Sequence, residues 1–148
     1  MKLLIDTHTA LWLFNEHENL PAAVREHLLD ETNDLYISIA SAWEIAIKRS
    51  LGKLPGFRGG VRRFLAAVRQ HPIELITVLP RAVGISVEIP LWRDICEFAP
   101  HYVETVERLP YVHRDPFDRI LIATAMCEDM TIVTADVGIR KYPVKCIW

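Results

Sequence analysis

Five acidic side chains of this sequence stand where carboxylates do chemistry. Asp6 directly follows the short apolar run Leu3-Leu4-Ile5, and Asp136 directly follows a second run, MTIVTA, from Met130 to Ala135. Glu44 lies inside Ile39-Ala40-Ser41-Ala42-Trp43-Glu44-Ile45-Ala46-Ile47, a stretch apolar on nearly every side of a helix. A carboxylate there is at least partly buried, and Glu is rarely buried without a partner. Asp115 and Asp118 are three residues apart at a helix start and so share one side of its first turn, where the positive helix end favours negative charge. Carboxylates held close together repel, raise one another's pKa and call for a cation between them. Oxygen-only ligands select Mg²⁺ or Mn²⁺ over softer metals. Such cations activate water and neutralise charge building on a phosphate, often as a pair ~3.5–4 Å apart. Metal-assisted phosphodiester hydrolysis is the chemistry that suits the set, because an acidic pocket must then meet a polyanion.

Each acid also has an ordinary explanation. Asp6 and Asp136 could each cap a following helix. Asp115 could be an N-cap with Asp118 at the third helical position, and Ser41-x-x-Glu44 has the same capping-box form. Glu44 could pair with Lys48 one turn later. Capping taken residue by residue does not say why two strand ends and an apolar helix all carry acids; a cluster does.

A cluster needs a frame that brings distant residues together. Short apolar runs without alternation, Leu3-Leu4-Ile5, Leu35-Tyr36-Ile37 and MTIVTA, suit strands covered on both faces, as in parallel sheets. Between them, residues 7–15, 21–31, 40–51, 60–70 and 116–128 read as helices, with Pro21 and Pro116 where a first turn tolerates proline. The alternation predicts an α/β sandwich with a mainly parallel sheet, and in such sheets sites form outside the carboxyl ends of strands where the strand order reverses. In the middle, Ile73 to Leu79, Val83 to Ile89 and Ile95 to Phe98 read as strands punctuated by Pro72, Pro80, Pro90 and Pro100. The tail, Val144-Lys145-Cys146-Ile147-Trp148, reads as a final strand.

Composition narrows the class. One hundred and forty-eight residues predict a single domain over 1–148, long enough to fold without disulfides or a structural metal. With 51% hydrophobic and 24% charged residues the chain is globular rather than disordered. A net charge of −2 excludes a generally basic nucleic-acid coat, though not a local one. Cys96, Cys127 and Cys146 are far apart and form no C-x-x-C, against a disulfide framework or zinc site. No apolar run approaches the ~18 residues of a membrane span, and Asp6 interrupts the N-terminus before a signal-peptide core could form. The expectation is a cytoplasmic protein with no membrane association.

Four segments in this order, Leu4-Ile5-Asp6-Thr7-His8, the Ser41-Ala42-Trp43-Glu44-Ile45-Ala46-Ile47-Lys48 helix, His113-Arg114-Asp115-Pro116-Phe117-Asp118-Arg119 and Val133-Thr134-Ala135-Asp136, resemble PIN-domain proteins of the VapC toxin type. The resemblance spans nearly the whole chain. It implies a PIN-like three-layer sandwich and an Mg²⁺- or Mn²⁺-dependent endoribonuclease, with Asp6, Glu44, Asp118 and Asp136 as the metal-holding acids. Asp118 is preferred over Asp115 because the family pattern D-x-x-(I/L)-x-A fits Asp118 through Ala123; Asp115 is then an N-cap or a group just outside the ligand set. The resemblance also implies an RNA substrate and a cognate VapB-type antitoxin. One departure is the region from about Val78 to Phe98, longer than the family's usual link, which suits an added surface for a partner or for RNA.

Other signals are secondary. Lys48, Arg49, Lys53, Arg58, Arg62, Arg63 and Arg69 form a basic run without an acid, either a phosphate-tracking patch or a solvated helix face. Setting the five named acids aside leaves fourteen acids against seventeen Lys and Arg, so the rest of the surface is mildly basic. His8 and His113 lie near candidate acids, where hydrogen bonding or capping is the commoner role than base or ligand. Trp12, Phe14, Trp43 and Phe64 read as core or interface, and Leu11-Trp12-Leu13-Phe14 offers an apolar contact for a homodimer or antitoxin. Two other classes compete. A phosphatase working through an aspartyl-phosphate commonly has a second Asp two residues on, where this chain has His8. A non-catalytic PIN-like scaffold would have lost acids, and all four are present.

Overall fold

The computed structural model describes residues 1–54, 57, 59–76 and 100–148. Strand β1 (Lys2–Ile5) runs into helix α1 (Thr7–Phe14); α2 (Ala22–Leu29) leads to β2 (Asp34–Ser38) and α3 (Ile39–Ser50); α4 (Gly60–Gln70) leads to β3 (Ile73–Ile76). The second half has α5 (Pro100–Arg108), α6 (Pro116–Glu128), β4 (Thr131–Val133), a short 3₁₀ turn (Ile139–Lys141) and β5 (Cys146–Ile147). The sheet order is β3-β2-β1-β4-β5, and every pairing is parallel.

The register explains how distant acids meet. Ile5 pairs with Ile37 on one side and with Val133 on the other, so β1, β2 and β4 end level with one another. The chain winds outward from β1 through β2 to β3, then returns to β4 and β5 on β1's other flank. The reversal point therefore lies between β1 and β4, where parallel sheets open a crevice.

Side-chain alternation makes the layers, since successive strand residues face opposite ways. Leu3, Ile5, Leu35, Ile37 and Val133 join one core with Leu11, Val24, Ala42, Ile45 and Phe64 from the first four helices. Leu4 and Ile132 join the opposite core with Leu121, Ile122 and Ala125 of α6. Helices thus cover both faces, giving the expected three-layer α/β sandwich, with an all-parallel sheet among the described strands.

Among the described residues the expected strands and helices are present with small shifts at their ends. MTIVTA is strand only over Thr131–Val133, and the tail only over Cys146–Ile147. The expected strand Ile73 to Leu79 is present over Ile73–Ile76; its remainder, the strands expected at Val83 to Ile89 and Ile95 to Phe98, and the long segment 78–98 lie outside the described residues. Helix α5 is an addition to the sequence reading, which treats Pro100 as punctuation between strands. Proline suits a first helical position, and Tyr102, Val106 and Leu109 recur at helical spacing, packing among the cores. The Tyr102 hydroxyl donates to Glu128 Oε1 at 2.6 Å, fastening α5 to α6. Cys127 and Cys146 are not in disulfides. Among the described residues no helix is long and apolar enough to cross a membrane.

Candidate metal centre

Asp6 and Glu44 form the buried back of the site. Asp6 follows β1 and occupies the N-cap position of α1, where Ala10 N donates to its carbonyl at 2.9 Å. Its carboxylate does not cap the helix. Instead Thr134 Oγ1 donates to Asp6 Oδ2 at 2.9 Å. Burial pushes the Asp6 carboxyl up in pKa; the Thr134 bond and His8 pull it down, Glu44 pushes it up again, and the net direction is upward. Glu44 is 2% exposed. One of its oxygens accepts from Thr7 Oγ1 at 2.6 Å, and the other is ion-paired with Lys48 one turn along α3. The capping-box reading of Ser41 and Glu44 is not realised: Ser38 caps α3 by accepting from Ala40 N at 3.2 Å, and Ser41 lies within the helix. The Glu44–Lys48 pair is realised, and it sits in the site rather than on an open surface.

Asp118 and Asp136 form the mouth. Asp115 is the N-cap of α6, accepting from Phe117 N at 2.9 Å, which leaves Asp118 in the first turn facing the pocket. Burial raises the Asp118 carboxyl, and the charges of Asp6, Asp115, Glu44 and Asp136 raise it further, to about 8. Asp118 therefore feels the charge of the other four acids singled out in the sequence. Asp136 lies three residues beyond β4. Gly138 N donates to its Oδ1, and its own N–H donates to Thr134 Oγ1 at 3.0 Å. Partial burial works to raise Asp136, but the Gly138 amide and His113 outweigh it and hold this carboxyl below the usual range.

His113 stands between the two mouth acids. Its Nδ1 is 3.2 Å from Asp118 Oδ2 and its Nε2 is 3.3 Å from Asp136 Oδ2. Asp115 N donates to the same Nδ1 at 3.2 Å, and His113 N donates to the Tyr142 hydroxyl at 2.8 Å. The expected hydrogen-bonding histidine is present, and it also joins Asp118 and Asp136 in a group whose ligand atoms all lie within 4.8 Å of one another. Gly138 permits the close approach: a Cβ there would come within 2.6 Å of His113 Cδ2 and 2.8 Å of Asp136 Oδ1. His8 is exposed and packs beside Trp12, with ring centroids 6.3 Å apart.

Three positioning residues carry no role in the sequence reading. Thr7 and Thr134 orient the two buried acids, and Thr134 couples Asp6 to Asp136 through its hydroxyl. Their signal was present, a hydroxyl residue one after Asp6 and two before Asp136. Arg119 is 9% exposed. It donates to the carbonyls of Val106 at 2.8 Å, Leu109 at 3.2 Å and Pro110 at 3.0 Å, tying the loop before α6 so that His113 and Asp115 meet the pocket.

The basic run divides. Lys48 is in the site, Arg49 donates to Phe57 O at 2.8 Å, Lys53, Arg62, Arg63 and Arg69 are exposed, and Arg58 lies outside the described residues. Phe64 is core, Trp12 and Phe14 are half-buried, and Trp43 is 49% exposed, edge-on to Phe117 at 5.3 Å. Leu11 is buried and Trp12, Leu13 and Phe14 pack against the core, which leaves little of that segment for a partner.

A parallel sheet with a carboxylate pocket at its reversal point defines a class of α/β proteins built around an acid-lined crevice. The PIN domain family model matches residues 3–145, and the chain belongs to the PIN domain family. Solved structures share the fold. The chain resembles VapBC2 from Rickettsia felis, bound to a DNA fragment from its promoter, with TM-score 0.63 and 15% identity over 99% of this chain and 98% of that one. DNA-bound VapBC from Salmonella typhimurium superposes with TM-score 0.59 at 18% identity over 99% and 97%. VapBC-1 from nontypeable Haemophilus influenzae gives 0.56 at 15% over 99% and 97%. Among curated proteins none matches the chain in sequence.

The donor set fits a hard divalent cation. Asp6, Glu44, Asp118 and Asp136 offer only carboxylate oxygens, and two of them, Asp6 and Asp118, are driven toward the neutral acid, by burial first and by neighbouring carboxylates after it. Oxygen sites of this kind suit Mg²⁺ or Mn²⁺.

Proposed function

We propose that the chain is a VapC-like toxin, a single domain over residues 1–148 that hydrolyses RNA phosphodiester bonds with Mg²⁺ or Mn²⁺ held by Asp6, Glu44, Asp118 and Asp136. The observation that carries this reading is Asp118. Its carboxylate lies in a group with His113 and Asp136 whose ligand atoms are within 4.8 Å of one another, and burial and four surrounding acids push it up to about 8, so a cation bound there would favour its ionised form.

The chain's own residues divide the work. Thr134 and Thr7 hold Asp6 and Glu44 from behind, each by one oxygen, which keeps the buried pair from swinging toward the incoming phosphate. Asp115 keeps the α6 N-terminus capped so that Asp118 is free of that duty. His113, between Asp118 and Asp136, fixes the spacing of the mouth acids and sits just outside the proposed ligand set. When bound, a divalent cation supplies Lewis acidity, activating water and offsetting charge that builds on the phosphate. The aspartyl-phosphate alternative gains nothing here, since the residue two after Asp6 is the exposed His8. The scaffold alternative would have lost acids, and Asp6, Glu44, Asp118 and Asp136 are all present.

The VapBC resemblance supports a VapB-type antitoxin as partner; a homodimer as the working form and cytoplasmic residence are proposed from the sequence alone. The test is cleavage of end-labelled structured RNA by purified, antitoxin-free protein with Mg²⁺, with Mn²⁺ and with EDTA. Cleavage that needs the cation and disappears in Asp6→Asn is expected. Absence of cleavage across a varied RNA panel, together with absence of cation binding by calorimetry, would favour the scaffold.

A further inference from the structure

Among the described residues of the basic run, Lys48 is the one ion-paired with an acid of the site. Its ammonium pairs with Glu44, whose side chain is 3% exposed, while Lys48 itself keeps 25% of its side chain in solvent. It is therefore anchored on the buried back of the site and open at its rim. Burial alone would make the ammonium easier to deprotonate, yet the bond to Glu44 and the charges of Asp115 and Asp118 more than reverse this. The ammonium is paired with the α3 acid and lies within the field of the α6 acids.

We infer that Lys48 is the pocket's internal counter-ion, holding Glu44 in the cation-free protein, competing with a divalent cation for that carboxylate, and offering its ammonium to an RNA phosphate at the pocket mouth once displaced. The inference rests on the ribonuclease reading and adds a positioning and substrate-binding residue to it. The chemistry is that of exchange. Glu44 has two oxygens, one accepting from Thr7 and the other paired with Lys48, so a cation that takes the Lys48-facing oxygen meets the ammonium as a direct competitor, and one on the other oxygen meets its repulsion. A lysine is a compact charge on a flexible four-carbon stem with three donors, and one that is partly exposed can turn outward without leaving the site. A polyanion approaching five acids meets repulsion, and a released ammonium at the rim offsets it where the phosphate must come.

The two halves of the inference predict effects of opposite sign. Removing the charge in Lys48→Met removes the competitor, so Mn²⁺ titrated by calorimetry binds about two- to fivefold more tightly, the range of a partly exposed ion pair. The same variant loses a phosphate contact, so single-stranded RNA measured by fluorescence anisotropy in Ca²⁺ binds at least about threefold more weakly, with a shallower salt dependence. Lys48→Arg, which keeps the charge, stays near wild type in cation affinity. Lys48→Gln provides the same comparison should the Met variant fold poorly, with thermal melting checking each protein. Weaker Mn²⁺ binding in Lys48→Met and Lys48→Gln would make Lys48 a prop for Glu44 and overturn the inference. Unchanged affinity for both ligands would overturn it too. Failure of the wild-type protein to bind Mn²⁺ at all would instead overturn the ribonuclease reading beneath it.

Discussion

The two pairs of acids in this site are held in opposite ways. Asp6 and Glu44, from the first third of the chain, are buried and fastened by hydroxyls distant in sequence: Thr134 is 128 residues from Asp6, and Thr7 is 37 from Glu44. Asp118 and Asp136, from the last third, are more open and set by local turns, with Asp115 capping its own helix two residues on and Asp136 accepting from Gly138 two residues on. The back pair is a property of the assembled sheet. The mouth pair is a property of two short segments, joined by His113. The buried pair cannot move without disturbing the core, whereas the mouth pair can adjust as a substrate arrives.

The sharpest way to break this comparison is to neutralise one acid of each pair. Asp6→Asn and Glu44→Gln are expected to lower RNA cleavage by at least about a hundredfold, since each removes a rigidly held ligand. Asp136→Asn, at 41% side-chain exposure and with Gly138 still to bond, is expected to cost only about tenfold. Single-turnover cleavage under saturating Mg²⁺ checks the order, and an Asp136 loss larger than the Asp6 loss would reverse the assignment of rigid and adjustable acids.

A pH titration of stability sharpens the electrostatic side. The Asp118 carboxyl titrates near 8 in the fold and near 3.9 in an unfolded chain. Between those values the folded protein holds a proton that the unfolded chain has lost, so cation-free stability falls as pH rises from about 4 to about 8 and then levels. Asp6, also raised, adds to the same slope, while Asp136, held low, contributes stability that is lost only as pH falls into the acid range. Chemical denaturation at several pH values should show the decline, a flatter one in Asp118→Asn, and its reversal by Mg²⁺.

Smaller effects test the props. Thr134→Val removes the donor to the buried Asp6 carboxylate and the acceptor for Asp136 N, and is expected to destabilise the protein by ~1–3 kcal/mol. Gly138→Ala forces a methyl against the His113 ring and Asp136; because that ring is held between two acids, about 1–3 kcal/mol is expected. Denaturant melts of both variants check these values.

The mouth was legible in the sequence because local rules set it. Asp115-Pro116-Phe117-Asp118 states its cap, its first turn and its free acid within four residues. The frame was legible too, since Leu3-Leu4-Ile5 and Leu35-Tyr36-Ile37 lack the alternation of a half-exposed strand. The back was legible only as acids in suspicious places. That Thr7 and Thr134 would hold them follows from Ile5 lying level with Ile37 and Val133, a register no sequence window contains. Helix α5 was hidden by its own proline, which reads as a strand breaker until Tyr102, Val106 and Leu109 are seen on one face. His113 shows the middle case: its hydrogen bonding was foreseeable, its place between two acids 18 residues apart in sequence was not.

The most direct test of the carboxylate pocket as a cation site is the anomalous scattering of Mn²⁺ soaked into crystals of the antitoxin-free protein. A peak enclosed by Asp6, Glu44, Asp118 and Asp136, absent in Asp6→Asn, is the expected result. A well-ordered pocket without a peak, in crystals that bind Mn²⁺ elsewhere on the surface, would contradict it.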